Sequence, residues 1–313
     1  MESARTIVLN LALLAIVSTL FPATARPDPR PPRPIPAISR ALIVSIDGLR
    51  PDALLRAEAP AIRSLMNRGA YTMWAQTTAV AVTLPSHVSM LTGVPPEKHG
   101  INWNNDRALS PGEYSKWPTL FELSRRVGYT AAMAAGKSKF LALAQPGTLD
   151  WSFVPSKTVI SDNEVTGRAV EFIAHSAPQV LFVHLPGVDT AGHAKGWGSP
   201  TQLAAIAVAD RCVGRLLEAI RSRGVLDSTV VIVTSDHGGA ARSHGANDPR
   251  SREIPWIISG PGVCHDLDLT TIGGLDIRTE DTFATVAWLL GIRVARPVDG
   301  RAVTQIRCAT PSR

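Results

Sequence analysis

The sequence predicts an α/β fold with a mostly parallel central sheet and helices on both of its faces. From about residue 38, short apolar runs alternate with amphipathic segments, the order expected when strands alternate with helices. The apolar runs are continuous, as in strands that are buried on both faces. Several amphipathic segments are followed by glycine, the residue that commonly ends a helix.

The first half of this pattern contains three helices and two apolar runs. Ala41–Ile46 is an unbroken apolar run that ends at an aspartate and a glycine, so we expect a buried strand there. Pro60–Arg68 and Pro118–Val127 have helical periodicity and are each followed by glycine. The apolar run Tyr129–Ala135 comes next, and Asp162–His175 is again helical.

The second half continues the alternation. Val180–Leu185 predicts a buried strand, and Thr201–Arg223 predicts a long helix. Thr229–Thr234 and Ile254–Ser259 predict two further strands, and Thr282–Leu290 a final helix. Because chemistry in such sheets collects at the carboxyl ends of the strands, the residues that follow these strands are the first candidates for function.

Length and charge restrict the class of protein. The chain has 313 residues, of which 45% are hydrophobic and 19% charged, an ordinary balance for a globular protein. The 32 basic and 26 acidic residues give a net charge of +6, which falls to +4 without residues 1–36. The sequence has no dense run of lysine and arginine, so it does not predict a nucleic-acid polymer as partner.

The N-terminus predicts a secreted or periplasmic protein. Arg5, the apolar stretch Ile7–Phe21 and Ala23-Thr24-Ala25 form the pattern of a signal peptide over residues 1–25. The alternative is an uncleaved N-terminal anchor, although the stretch is shorter than the roughly 20 residues that span a bilayer. Residues 26–37 predict a Pro-rich linker, and no later segment predicts a membrane span.

The three cysteines fit an exported protein. Cys264 and Cys308 are candidates for a disulfide, and the sequence leaves their pairing open. Cys212 lies in a predicted helix, where we expect a buried apolar residue.

Three aspartates follow predicted strands at one edge of the sheet, and histidines accompany them. Asp47 ends the first strand, and a single aspartate in such a place most often caps a helix or forms a turn. However, Asp189 is followed four residues later by His193, and Asp236 directly by His237.

A third histidine, His244, lies in a nearby loop of small residues. One such histidine is more often a surface or core residue, but three beside carboxylates favour a metal site. Nitrogen and oxygen ligands without thiolate suit zinc, with manganese as second choice. Six ligands suffice for two metals, and because they extend from Asp47 to His244 we expect residues 38–313 to form one catalytic domain.

Thr83 is the candidate nucleophile. Pro85 predicts the first turn of a helix that continues to Gly93, which places Thr83 at the helix N-terminus. Free N–H groups at that end favour an anion, and metal coordination activates a hydroxyl that is otherwise a poor nucleophile. The alternative is that Thr83 only caps the helix.

Six segments resemble the alkaline phosphatase superfamily, and within it the compact bacterial form of the nucleotide pyrophosphatase/phosphodiesterase (type I phosphodiesterase) branch. They are IVSIDGLRPD (43–52), TLPSHVSMLTGVPPEKHGI (83–101), HLPGVDTAGHAKG (184–196), VTSDHGG (233–239), IPWIISGPGV (254–263) and DTFATVAWLLGI (281–292). The resemblance runs from about residue 41 to about residue 303, nearly the whole mature chain, and implies an alkaline-phosphatase-like three-layer sandwich. Sulfatases of the same superfamily use a matured cysteine or serine, which Thr83 does not match.

The resemblance implies two divalent metal ions, each held by three protein ligands. The first set is Asp47, Asp236 and His237, and the second is Asp189, His193 and a third histidine, for which His244 is the best candidate. Thr83 is implied as the nucleophile on the first metal.

The resemblance also implies substrate contacts. Asn104 resembles the asparagine that hydrogen-bonds a non-bridging phosphate oxygen, together with the backbone N–H of Leu84. The residue after the nucleophile is often an aromatic that stacks on a nucleobase, and Leu84 in its place argues against nucleotide specificity. Trp103 and Trp197 are weaker candidates for a wall of the site, with burial in the core as the alternative. The short sequence after Asp236 leaves no room for a large cap, so we expect an open site.

We therefore expect an exported two-metal phosphodiesterase or nucleotide pyrophosphatase that acts on a small phosphate ester through a phosphothreonine. The alternative within the enzymes is a phosphomonoesterase or phosphonate hydrolase on the same site. Monoesterases usually add a positive group, for which Lys137 and Lys195 are candidates. A remote alternative is a non-catalytic, metal-binding exported protein.

Overall fold

The computed structural model describes residues 30–105, 113–156, 159–245 and 248–308. The predicted signal peptide and the start of the predicted linker lie outside the described residues. Among the helices in these ranges, none combines the length and the apolar character needed to cross a membrane.

A central sheet of eight strands organises the described residues. In chain order the strands are β1 (Arg40–Ile46), β2 (Gly69–Gln76), β3 (Ala131–Ala135), β4 (Trp151–Phe153), β5 (Val180–Leu185), β6 (Thr229–Thr234), β7 (Glu253–Ser259) and β8 (Leu267–Asp268). Their order across the sheet is β4-β3-β5-β1-β6-β7-β2-β8. Only β7 runs antiparallel to its neighbours, β6 and β2, so the predicted mostly parallel sheet is confirmed.

Ten α-helices connect or flank these strands within the described ranges. They are α1 (Pro51–Arg56), α2 (Pro60–Asn67), α3 (Thr83–Thr92), α4 (Pro96–His99), α5 (Leu120–Arg126), α6 (Asp162–His175), α7 (Gly187–Lys195), α8 (Pro200–Ser222), α9 (Pro249–Arg252) and α10 (Asp281–Leu290). Short 3-10 turns cover Ser138–Leu143, Leu226–Ser228, Leu269–Thr271 and Thr304–Ile306.

Hydroxyl side chains start three of the helices. The side chains of Thr119, Ser161 and Ser199 each accept the N–H of the third following residue at the starts of α5, α6 and α8. Such caps satisfy N–H groups that have no partner within the helix. The long helices therefore begin where a capping residue meets an amphipathic run.

The strands separate two apolar layers. Ile43 and Ile232 pack in a cluster with residues of α3, α5 and α10. Val44 and Val233, their neighbours along the strands, pack in a second cluster with α1, α2, α6 and α8. Since successive side chains of a strand point to opposite faces, one sheet is covered on both sides, as the three-layer prediction requires.

The parallel registry brings four strand ends to one edge. Ser45 near the end of β1 pairs with His184 of β5 and Thr234 of β6, and Ala135 of β3 also pairs with His184. The loops that follow these strands, and helix α7 after β5, therefore start side by side. The candidate functional residues lie at this edge.

A disulfide joins Cys264, which follows β7, to Cys308, and their Cα atoms lie 4.8 Å apart. This settles the pairing that the sequence left open. Cys212 is buried in α8, as predicted.

Candidate metal centre

Two aspartates from neighbouring strands begin the site. Asp47 directly follows β1 and Asp236 follows β6 after one residue, and both side chains are fully buried. Oδ1 of Asp236 accepts the N–H of Gly48 at 3.2 Å, and Ser235 donates its hydroxyl hydrogen to the carbonyl of Ile46 at 2.8 Å. These bonds across β1 and β6 fix the two carboxylates beside each other.

Helix α7 brings the third aspartate and the first histidine. Asp189 lies in its first turn, and His193 lies one turn later, with Nε2 3.3 Å from Oδ1 of Asp189. The helix start is anchored because Gly187 donates its N–H to Oδ1 of Asp162 on α6 at 2.7 Å. The four-residue spacing of Asp189 and His193 therefore places both side chains on one face of the helix.

The loop after β6 supplies two more histidines. The rings of His237 and His244 stack, with centroids 3.7 Å apart and planes 14° from parallel. Nε2 of His237 lies 3.4 Å from Oδ1 of Asp47, and Nε2 of His244 lies 3.7 Å from Oδ1 of Asp189. The six predicted ligands thus converge on one place.

Backbone carbonyls fix the tautomers of all three histidines. Nδ1 of His193, His237 and His244 donates to the carbonyls of Arg242, Gly238 and Ala81 at 3.0, 2.9 and 3.0 Å, respectively. A carbonyl oxygen only accepts, so in the neutral ring Nδ1 carries the hydrogen and Nε2 presents a lone pair. This is the arrangement of histidines that bind a metal through Nε2.

Three carboxylate oxygens face these lone pairs without a hydrogen-bond partner. They are Oδ1 of Asp47, Oδ1 of Asp189 and Oδ2 of Asp236. Oδ2 of Asp236 lies 3.2 Å from Nε2 of His237. Buried oxygen lone pairs that face nitrogen lone pairs are unfavourable unless a cation lies between them. The donor set therefore fits divalent metal ions of the zinc or manganese type.

The ligand atoms form two adjacent groups. Asp189, His193 and His244 form one, and Asp47, Asp189 and His237 form the other, with the ligand atoms of each group within 4.8 Å of one another. The second group contains Asp189 where the sequence prediction has Asp236. Since Asp189 belongs to both groups, the two groups of ligand atoms are neighbours.

Crowding of charge is visible in the acid–base properties. Burial and the nearby charge of Asp47 raise the pKa of Asp236 well above its usual range. Burial and His244 lower the pKa of His237 to about 4. Carboxylates packed this closely disfavour joint ionisation, and a bound cation would relieve that repulsion.

Thr83 is the first residue of α3, after the N-cap Val82, and its side chain caps nothing, so the capping alternative is not what the structure shows. Oγ1 of Thr83 lies 3.4 Å from Nε2 of His237. The residue is only 1% exposed, because the neighbouring side chains cover the hydroxyl. The side chain of His193 is 46% exposed, so solvent reaches the centre from the α7 side.

Lys137, which the sequence offered only as one of two candidate positive groups, lies at the centre of the site. It follows β3, and its Nζ lies 2.7 Å from Oδ2 of Asp47, 2.7 Å from Oδ2 of Asp189 and 3.4 Å from Oγ1 of Thr83. Burial opposes its charge, but the two carboxylates outweigh burial and raise its pKa. A signal was present in the sequence, since Lys137 lies two residues beyond a predicted strand at the same edge. Lys195, the other lysine considered, is exposed on α7.

Asn104 lies against the N-terminus of α3. Its Oδ1 accepts the backbone N–H of Leu84 at 2.9 Å, so the two groups predicted to hold a phosphate oxygen are bonded to each other. Lys139 donates to the backbone carbonyl of Asn104 and lies 3.4 Å from its Oδ1.

The structure corrects the weaker substrate-contact predictions. The side chain of Leu84 is fully buried in the core, so it offers no surface to a ligand. Trp197 is 8% exposed and donates its indole N–H to the carbonyl of Gly48 at 2.9 Å. Its ring lies behind the metal ligands, 5.1 Å from that of His193, so the core alternative describes it. Trp103 is partly buried and packs on the same apolar layer as α3.

Two glycines make room for this tryptophan. A Cβ at Gly239, in the loop after His237, would lie 2.3 Å from the Trp197 ring, and one at Gly192 on α7 would lie 2.8 Å from it. The ring thus packs tightly between the two segments that carry the histidines.

Comparison with known proteins gives a consistent assignment. Residues 41–248 match the family described as type I phosphodiesterase / nucleotide pyrophosphatase. An uncharacterized pyrophosphatase/phosphodiesterase of Schizosaccharomyces pombe is 27% identical over 221 residues, covering 66% of this chain and 46% of that protein. Human bis(5'-adenosyl)-triphosphatase is 26% identical over 214 residues, covering 64% of this chain and 47% of that protein. The chain thus spans about half the length of these curated relatives.

Solved structures agree in fold. Human ectonucleotide pyrophosphatase / phosphodiesterase 5 superposes with a TM-score of 0.68 at 16% identity, covering 86% of this chain and 100% of that one. The phosphonate monoester hydrolase of Agrobacterium radiobacter superposes with a TM-score of 0.65 at 16% identity, covering 86% and 77%.

Proposed function

Because the chain belongs to the type I phosphodiesterase / nucleotide pyrophosphatase family, we propose that it hydrolyses small phosphate esters through a phosphothreonine formed on Thr83. One observation carries this proposal: the Thr83 hydroxyl lies within 3.4 Å of a histidine whose neighbours are three unpartnered carboxylate oxygens. A nucleophile beside a set of converging metal-ligand side chains is the arrangement that metal-assisted phosphoryl transfer requires.

The six converging side chains would hold two divalent ions, zinc by preference and manganese as the second choice. The ligands of one are Asp47, Asp236 and His237, and those of the other are Asp189, His193 and His244. Such ions lower the pKa of a coordinated hydroxyl and stabilise negative charge on a leaving oxygen.

The chain itself supplies the nucleophile and its orientation. Helix α3 fixes Thr83 by its backbone, so Oγ1 faces His237 and Lys137. Oγ1 forms a bond to phosphorus while the bond from phosphorus to the ester oxygen breaks. The threonine proton passes to water, and the departing oxygen takes a proton from water. A water molecule then cleaves the phosphothreonine, which restores Thr83 and releases phosphate, or a phosphate monoester if the substrate is a diester.

The stereochemical course at phosphorus tests this proposal. Two successive in-line displacements predict net retention, whereas direct attack by water predicts inversion. Hydrolysis of a chiral phosphorothioate diester in isotopically labelled water distinguishes the two outcomes, and inversion would exclude the covalent step at Thr83.

Substitution of the nucleophile is the second test. We expect Thr83→Ala to lower kcat by at least about a thousandfold, because the variant lacks the group that forms the intermediate. Thr83→Ser is the matched control, since it keeps a hydroxyl and should retain measurable turnover. Metal content should equal that of the native protein in both variants, and near-native turnover of Thr83→Ala would refute the assignment.

A second candidate function is hydrolysis of phosphate monoesters or phosphonates, and the position of Lys137 favours it.

Export to a secreted or periplasmic location is also part of the proposal. It is supported by the signal-like pattern of residues 1–25 and by the disulfide between Cys264 and Cys308, since disulfides persist in oxidising compartments.

A further inference from the structure

We infer that Lys137 makes this site selective for a phosphoryl group with two negative charges, that is, for phosphate monoesters over diesters. The inference rests on the proposed reaction at Thr83 and names its substrate class. It reverses the preference for diesters that the sequence resemblance implies.

The ammonium group of Lys137 lies beside the candidate nucleophile. Lys137 reaches the centre from the end of β3, and its Nζ lies 3.4 Å from Oγ1 of Thr83. A phosphoryl group bonded to Oγ1 carries its non-bridging oxygens one bond further out. An oxygen on that side therefore lies within reach of the ammonium, which forms a charge-assisted hydrogen bond to it.

Lys137 contacts different carboxylate oxygens from those that would bind the metal ions. Nζ contacts Oδ2 of Asp47 and Oδ2 of Asp189, each at 2.7 Å. The unpartnered oxygen of each carboxylate is Oδ1, and it is Oδ1 that faces the histidines. The lysine is thus held between the two ligand groups without occupying the atoms that a metal needs.

The burial of Lys137 and Thr83 disfavours the second ester group of a diester. Lys137 is only 7% exposed, and Thr83 beside it 1% exposed. A diester has one negative charge, shared by two non-bridging oxygens, and its second substituent takes the place of the third oxygen. It therefore brings less charge to this ammonium than a monoester does, or it places an apolar group against it, which desolvation makes unfavourable. A monoester has a single substituent, which points towards the open side at His193, and three oxygens for the cation, Asn104 and the metal side.

Further positive charge lies at the rim. Lys139 is bonded to the carbonyl of Asn104 and lies 3.4 Å from its Oδ1, at the N-terminus of α3. The Asn104 side chain, whose Oδ1 accepts the Leu84 N–H, therefore lies with Lys139 at the N-terminus of α3, which adds a second cation next to Thr83. Leu84, which stands where a nucleotide diesterase often has a stacking aromatic, is buried and offers no such surface.

The test compares native protein with Lys137→Gln, each loaded with zinc and assayed for metal content. The substrates are p-nitrophenyl phosphate, adenosine 5'-monophosphate and bis-p-nitrophenyl phosphate. Calorimetric titration with inorganic phosphate and with diethyl phosphate measures binding without turnover. The native protein should hydrolyse p-nitrophenyl phosphate with the higher kcat/KM and bind inorganic phosphate at least about tenfold more tightly than diethyl phosphate.

Lys137→Gln should reduce kcat/KM for the monoester, and affinity for inorganic phosphate, about tenfold more than the corresponding values for the diesters. Lys137→Arg keeps the charge and should restore part of the difference. Lys195→Gln is the matched control, because it removes one positive charge from the exposed surface of α7 and should not change the ratio. If Lys137→Gln binds less zinc, Lys139→Gln replaces it, with the same change in the ratio expected in smaller measure.

The possible results distinguish the selectivity due to Lys137 from the proposed reaction at Thr83. Higher kcat/KM for bis-p-nitrophenyl phosphate in the native protein, or equal losses for both ester classes in Lys137→Gln, would overturn the selectivity inference and leave the proposed reaction standing. No hydrolysis of any ester would refute the proposed reaction, and the two phosphate titrations would still decide the role of Lys137. Hydrolysis of p-nitrophenyl phosphate without adenosine 5'-monophosphate would support the inference and exclude nucleotides from the substrate class.

Discussion

His184 orients one of the candidate metal ligands although it is not a ligand itself. Its Nδ1 accepts the N–H of Gly136 at 3.2 Å, so Nε2 carries the hydrogen and donates it to Oδ2 of Asp47 at 2.8 Å. Partners of this kind fix the orientation of a ligating carboxylate and leave its other oxygen for the metal.

We therefore expect His184→Ala to weaken zinc binding by roughly ten- to a hundredfold, since removal of such partners typically has that effect. Competition with a chromophoric chelator measures the affinity. His184→Gln keeps a donor in the side chain and should recover part of the loss, and His175→Ala on the exposed end of α6 is the control. Equal zinc affinity in native protein and His184→Ala would show that Asp47 is oriented without the histidine.

Among individual residues, the sequence predicted the candidate metal ligands better than the residues that contact them. Asp47, Asp236 and His237 are recognisable because they follow apolar strands within a few residues. Lys137 also follows a predicted strand, but its contacts, like those of His184, depend on which strands are neighbours in the sheet. β5 lies between β1 and β3, and only that order brings both residues to Asp47.

Helix α7 depends on a buried carboxyl group at its start. Asp162 accepts the N–H of Gly187 and is 3% exposed, and burial raises its pKa to about 6. The usual pKa of an unfolded aspartate is about 3.9, so the folded state binds the proton more tightly. Stability from this group is therefore present below about pH 4 and is lost as the pH rises through 6.

Asp162→Asn should remove this pH dependence, because the amide oxygen still accepts the Gly187 N–H and no charge is buried. We expect the variant to gain about 2–3 kcal/mol in free energy of unfolding over the native protein above pH 7, and to show little gain near pH 4. Urea denaturation between pH 4 and pH 8 measures the difference. Asp227→Asn, at an exposed position, should show no such trend, and a constant difference for Asp162→Asn would contradict the assignment.

Elements with a regular pattern were predicted with accurate ends, and elements that are very short or irregularly buried were missed. α6, β5 and β6 have the predicted bounds because capping, periodicity and apolar runs all coincide there. α4 has four residues, too few for a helical period to repeat. β2 was missed because its pairing with β7 shifts between Thr72 and Ala75, so its burial does not follow the continuous pattern of the central strands.

For the molecule as a whole, the disulfide ties the C-terminal segment to the loop after β7. Cys264 and Cys308 are 44 residues apart, and the N–H of Cys264 also donates to the carbonyl of Ile306 at 2.8 Å. A cross-link that closes a loop of this length restricts the unfolded chain and typically adds about 2–4 kcal/mol to stability.

Replacement of both cysteines by serine should lower the free energy of unfolding by that amount and leave zinc affinity unchanged, because the bond lies outside the metal-ligand groups. Chemical denaturation with and without a reductant measures the effect on the native protein. A loss of zinc affinity in the double variant would show that the C-terminal segment supports the site.

The α/β architecture could be predicted from the sequence because it depends on many residues at once. Continuous apolar runs in several strands indicate burial on both faces of the sheet, so a misjudged position does not change the predicted architecture. The antiparallel direction of β7 did not follow, since the apolar run Ile254–Ser259 reads the same in either direction.

The indole of Trp197 gives this protein a built-in optical reporter. Its ring touches the edges of His193 and His244, while its N–H is tied to the chain at Gly48, where β1 ends. Any change in the charge of these imidazoles alters the electric field at the chromophore, so occupancy of the centre is readable as a change in ultraviolet emission without any substrate. The emission of Trp197→Phe comes from the six other tryptophans, so its subtraction from the emission of the native protein isolates this signal.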